Sequence, residues 1–160
     1  MIRAALLLAM ASALALPLAA PVAAKDSLGV YSSWAAFRDA DRPRCYAIAK
    51  PRSGGGSYAS IATWPKQRIR NQVHLKMARS AGSKGASLKV GDRSFALATK
   101  GRNAWAQDKR MDAAIVAALR SASTMTITAH DTNGKRFSER YTLAGAATAI
   151  DAAVFGCANR

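Results

Sequence analysis

The stretch STMTITAHDTNGKRFSERYTLAGAATAIDAAVFGC, residues 123–157, decides the fold. Met125, Ile127 and Ala129 alternate with Thr124, Thr126, Thr128 and His130, the period of a half-buried strand. The return run carries Phe137, Tyr141 and Leu143 on one parity. A two-residue turn at Asn133-Gly134 would set Ile127 against Arg140 and Met125 against Thr142, splitting the apolar faces. A three-residue loop, Thr132-Asn133-Gly134 with Gly134 left-handed, instead pairs Ala129 with Phe137, Ile127 with Glu139 and Met125 with Tyr141. The bulged register is therefore expected. It turns Glu139 inward, where it must lie near the rim or meet an arginine. After Leu143 and Gly145 a helix is expected over 146–157, with Ile150, Val154 and Cys157 at i, i+4 and i+7.

Cys157 then lies on a buried stripe, and the only other cysteine is Cys45. Around it, Arg44 to Lys50 alternates, with Tyr46 and Ile48 on one face and Cys45, Ala47 and Ala49 on the other. That second face is small enough for an alanine-rich helix to approach. The N-terminus implies an oxidising compartment: Arg3, an apolar run from Ala4 to Leu18, and small residues at Ala23 and Ala24 form a signal-peptide layout over 1–24. Pro17 and Pro21 interrupt that run, which argues against a membrane span, and no later run is long enough for one. Residues 25–160 are expected to form a single exported domain, periplasmic or secreted, with Cys45 and Cys157 joined in a structural disulfide.

Between these anchors the chain reads as short strands and turns. Val30 to Phe37 is expected to be a first strand, and Asp39 to Pro43 a turn. Ser53 to Ser57 is a glycine loop without the Gly-Lys-Ser/Thr ending of a phosphate cradle. Tyr58 to Trp64 is a strand stopped by Pro65. Gln72 to Met77 places Val73, Leu75 and Met77 inward and His74 and Lys76 outward. Ser80 to Gly85 is expected to be a loop. Gly91-Asp92 is a two-residue hairpin turn that pairs Val90 with Arg93, Leu88 with Phe95 and Ala86 with Leu97. Asp108 caps a helix whose stripe is Met111, Ile115 and Leu119. The expected fold is mainly β, an antiparallel β-sandwich of about eight strands with two helices, at 108–121 and 146–157.

Charge constrains the partners. The net charge is +15, or 23 − 9 = +14 once Arg3 leaves with the signal peptide. From Pro65 to Arg110 there are twelve lysines and arginines against Asp92 and Asp108. Lys66, Arg68 and Arg70, at a spacing of two, would share one face of extended chain and are the expected anion-binding residues. Replacing all three by serine is expected to remove salt-sensitive binding. Export and the lack of exposed-looking aromatics between the basic residues argue against specific nucleic-acid binding. The two cysteines and two histidines lack metal-ligand spacing, no nucleophile elbow is present, and no cofactor motif occurs. His130-Asp131 would need a serine in the same cleft to act.

Several of these residues carry a family resemblance. Trp34, Arg44-Cys45-Tyr46, Trp64, Val90-Gly91 with Phe95, Trp105, the run from Ile115 to Leu119, and Tyr141-Thr142-Leu143-x-Gly145 with Ala149 and Cys157 resemble the invasion-associated locus B family. The resemblance spans nearly all of residues 25–160. It implies a small, β-rich, exported bacterial protein and brings no reaction and no catalytic residues. Two functions are expected from different classes. One is a non-enzymatic envelope protein that binds an anionic lipid, a polysaccharide or an envelope protein through a basic surface. The other is a periplasmic inhibitor or chaperone-like protein-binding module.

Overall fold

A computed structural model of the chain describes residues 25–39 and 41–158. The expected signal peptide over 1–24 lies outside the described residues. The strands are β1 (Asp26–Tyr31), β2 (Trp34–Asp39), β3 (Arg44–Ala49), β4 (Tyr58–Trp64), β5 (Ile69–Lys76), β6 (Ala81–Val90), β7 (Arg93–Lys100), β8 (Asn103–Trp105), β9 (Thr124–Asp131) and β10 (Arg136–Thr142). Helix α1 (Lys109–Ser121) precedes β9, and α2 (Ala146–Gly156) follows β10.

The mainly β, antiparallel character, the two helices and the disulfide are as expected. The strands number ten among the described residues, and hydrogen bonding runs them as one ribbon in the order β1-β2-β3-β4-β5-β8-β7-β6-β9-β10. The first expected strand is a hairpin, because Ser32 adopts φ 53° and turns Tyr31 back to pair with Trp34. The expected loop at 80–85 belongs to β6, with an irregular register between Ala81 and Ala86.

Both expected registers hold. Val90 pairs with Arg93, Leu88 with Phe95 and Ala86 with Leu97. Ala129 pairs with Phe137, Ile127 with Glu139 and Met125 with Tyr141, and Gly134 has φ 79°. The Asp131 carboxylate accepts from the N–H groups of Asn133 and Lys135, which fixes that loop.

The ribbon closes on itself through β10. The Arg52 N–H donates to Arg140 O at 2.8 Å, and the Trp34 indole donates to Thr142 O at 3.0 Å. Glu139, only 3% exposed, is part of the same seam. It meets neither the rim nor an arginine: Oε1 accepts from the Ala78 N–H at 2.6 Å and the Ser57 hydroxyl at 3.1 Å, and Oε2 accepts from the Tyr141 hydroxyl at 3.2 Å. Burial, then the charge and hydrogen bond of Glu139, push the Tyr141 phenol well above its ordinary range. Tyr141 therefore stays neutral and donating.

Both helices pack on the buried face, α2 over β1 to β5 and α1 over β5 to β7. Asp108 caps α1 by accepting from the Met111 N–H at 2.8 Å. Asp112 in its first turn accepts from the Val73 N–H of β5 at 2.8 Å. The buried residues of α2 are Ala146, Ala149, Ile150 and Ala153, with Cys157 just beyond, so Val154 is only half-buried and the alanines take its place. The small face of Cys45, Ala47 and Ala49 receives them, and Cys45 is bonded to Cys157. Gly145 starts α2 at φ 86°, where any β-carbon would collide with the Tyr31 carbonyl.

Candidate ligand-binding face

Alternation along β3 that sends Cys45, Ala47 and Ala49 inward sends Arg44, Tyr46, Ile48 and Lys50 outward. Strand pairing then assembles two rows across the outer surface. One runs Ile48, Ser60, His74, Trp105, Ala98 over β3, β4, β5, β8 and β7. In the other, Tyr58 faces Lys76, Lys76 faces Asn103, and Asn103 faces Lys100. Lys50 directly follows the Ala49–Ala59 pair that ends β3. Lys76 and Lys100 thus stand two strands apart with Asn103 between them, and Lys50 lies just past the end of β3.

The rings form a contiguous set. His74 stacks on Trp105, centroids 5.4 Å apart at 24°, and meets Tyr58 edge-on at 5.6 Å. Its Nε2 lies 3.0 Å from Asn103 Oδ1. Burial lowers the His74 pKa, the Asn103 hydrogen bond opposes that, and the charges of Arg44 and Lys76 add to the lowering. The Lys76 ammonium sits over the Tyr58 ring at 5.9 Å. Arg44 lies over Tyr46 at 4.7 Å and Trp64 at 5.1 Å, and its guanidinium pairs with Asp39 at 3.4 Å. Arg44 Nε and Trp64 Nε1 are buried without a hydrogen-bond partner. Basic and aromatic side chains are therefore interleaved on this face, with the rings buried or half-buried.

An open groove of about 800 Å³ adjoins one end of this surface. Phe37, Ile48, Lys50, Arg52, Tyr58 and Val30 line it, so Lys50 and Tyr58 belong to both groove and row. Val30, on the edge strand β1, is 73% exposed.

The segment holding Lys66, Arg68 and Arg70 is not extended. Lys66 sits in a 3-10 turn, Pro65–Gln67, Arg68 is left-handed at φ 55°, and Arg70 lies in β5. Lys66 borders a depression with Asp39, Arg44 and Cys157, while Arg68 and Arg70 border the adjacent one with Val154 and Cys157. All three are exposed. Ion pairs among the described residues involve Arg38, Arg44, Arg79 and Arg120, and no lysine.

Ser83, His130 and Asp131 do border one small depression. The Asp131 carboxylate is committed to Arg79 at 3.0 Å and to its own turn, which holds its pKa below the usual carboxylate range. No hydrogen bond joins His130 to Ser83 among the described residues. No group of three or more potential metal ligands occurs among them either.

The surface rows escaped sequence reading because β8 inserts between β5 and β7. The outward parity of His74 and Lys76 was the available signal, but nothing local announced Trp105 and Lys100 as their neighbours.

No helix among the described residues is long and apolar enough to cross a membrane. No curated protein and no solved structure matches the chain. The family model described as invasion associated locus B (IalB) protein matches residues 38–154, from β2 to the last turns of α2. That span takes in the β6–β7 and β9–β10 hairpins, the Gly145 turn and the outer face, and the chain belongs to the invasion associated locus B family, whose membership suggests an envelope-associated protein.

Proposed function

We propose that the protein acts outside the cytoplasm, without catalysing a reaction, by binding an anionic component of the bacterial envelope through its basic surface. The observation that carries this reading is the excess of exposed cations that make no ion pair among the described residues, including Lys50, Lys66, Arg68, Arg70 and Lys100. Desolvating an unpaired surface cation against an anion gives up no existing ion pair, and release of the polymer's counterions adds to the gain. The disulfide and the family membership support an oxidising, extracytoplasmic setting. The test is binding of the purified protein to anionic vesicles and acidic polysaccharides from low to high salt. Affinity should fall steeply with salt for at least one of them. Salt-independent binding, or none, would overturn the proposal.

A protein-binding module is the second reading, favoured by the exposed Val30 of edge strand β1 beside the groove. An extended peptide could add to that edge and drop side chains into the groove. Pull-down from an envelope extract would then recover a stoichiometric protein whose binding survives high salt.

A further inference from the structure

The spacing and surroundings of the lysine row identify the class of anion. Adjacent strands lie about 4.8 Å apart, so the backbone positions of Lys76 and Lys100 lie about 10 Å from one another across the sheet, and Lys50, just past the end of β3, extends the row. Each strand of duplex DNA presents a phosphate every ~3.4 Å of helix axis, about three times as densely. A membrane presents charge over a plane and rewards rings that protrude into it. Here Tyr58, His74 and Trp105 are half-buried and packed on one another, so they do not protrude as membrane anchors do. A polymer of sugar rings has apolar C–H faces for such a surface. With one acidic group per disaccharide, its charges repeat at the spacing of alternate strands.

We propose that the outer face of β4, β5, β8 and β7, entered from the groove beside Lys50, binds a linear acidic polysaccharide carrying one carboxylate or phosphate per disaccharide. Its sugar rings stack on Tyr58 and Trp105, and its anions pair with Lys50, Lys76 and Lys100. Asn103, between Lys76 and Lys100, presents an amide whose N–H₂ is free to meet a sugar hydroxyl while its oxygen holds His74. The inference rests on the anion-binding function proposed above and names its ligand.

The test uses hyaluronan oligosaccharides as the probe, because they carry one carboxylate per disaccharide. Dextran, phosphatidylglycerol vesicles and a single-stranded oligonucleotide are the comparison ligands. The protein should bind hyaluronan more tightly than any of the three. The Lys50→Gln, Lys76→Gln, Lys100→Gln variant should weaken hyaluronan binding by about tenfold or more and flatten the salt slope by up to about three phosphate-equivalent contacts. Tyr58→Leu should weaken it about fivefold with the salt slope kept, as for loss of one stacking platform. The Lys66→Ser, Arg68→Ser, Arg70→Ser variant should change it by about twofold or less, as expected of cations that only steer. The glutamine substitutions fall on surface lysines and leave the melting temperature as an independent control of folding. Full binding by the glutamine variant, or tighter binding to vesicles or oligonucleotide, overturns the glycan assignment alone. Failure to bind any anionic ligand overturns the anion-binding function as well.

Discussion

The two halves of the outer sheet surface differ sharply although the same ribbon builds them. Across β6, β9 and β10 the outward rows read Lys89, Thr126, Arg140 and Ser87, Thr128, Ser138, with the Thr128 and Ser138 hydroxyls 2.9 Å apart. Across β3, β4, β5 and β8 the outward positions hold Tyr46, Trp64, Tyr58, His74 and Trp105 with Arg44 and Lys76 laid over the rings. Inward, both halves contribute alike to one core, through Ala47, Ile61 and Leu75 on one side and Leu88, Ile127 and Tyr141 on the other. A threonine and serine surface satisfies an antiparallel sheet that faces water. The core does not require the rings, so their presence on one half is the feature on which the proposed ligand face rests.

The largest effect separates the halves by stability. Replacing Cys45 and Cys157 by alanine should cost about 4 kcal/mol, since the bond closes a loop of more than a hundred residues, and urea denaturation measures it. Hydrogen exchange should rise first in β1 to β4, where α2 is clasped, and last in β9 and β10. Equal loosening of both halves would show that the clasp is not local to the aromatic half.

Next in size is the seam between the halves. Glu139→Ala strands the Ser57 and Tyr141 hydroxyls in the interior and removes the acceptor of the part-buried Ala78 N–H, at a cost of about 2 to 3 kcal/mol in the same unfolding measurement. Glu139→Gln keeps an acceptor oxygen and should cost less. A smaller effect contrasts cations on the two faces: the glutamine variant of the lysine row loses about tenfold in hyaluronan affinity, whereas Lys89→Ser, Arg136→Ser, Arg140→Ser loses about twofold.

The smallest effect is a pH dependence. Burial depresses the His74 pKa below its ordinary 6.5 in the folded protein, so the unfolded chain takes up its proton first. Its contribution to stability is present above the unfolded value and is lost as pH falls through the folded one. His74→Gln should remove this part of the decline between neutral and acidic pH in a series of melting curves. Ligand binding should run the other way, because an anion beside His74 favours its protonated form.

Local chemistry made much of this fold legible. A glycine at the right offset and the demand that apolar residues share a face were enough to place the β9–β10 register, including Glu139 inward. Asp108 and the i, i+4 stripe likewise announced α1. What escaped depends on distant partners. Glu139 is satisfied by Ser57 and Ala78, more than sixty residues away, and no pattern near position 139 names them. Ser32-Ser33 lacks the glycine or asparagine that usually marks a tight turn, so β1 and β2 read as one strand. The extended conformation expected at Lys66, Arg68 and Arg70 is replaced because Pro65 opens a 3-10 turn. The surface rows required the strand order itself.

The three tryptophans supply the most direct measurement. Trp34 donates its indole N–H to Thr142 inside the core, whereas Trp64 and Trp105 lie on the outer aromatic half. Nitrogen–proton NMR spectra of the protein titrated with hyaluronan oligosaccharides resolve one indole signal for each. The Trp105 signal should shift saturably while Trp34 stays fixed, with amide shifts along β4, β5 and β8 and none along β9 and β10. A saturable titration that leaves Trp105 unmoved and shifts β9, β10 or the Lys66 to Arg70 segment would contradict the assignment of the aromatic half as the ligand face.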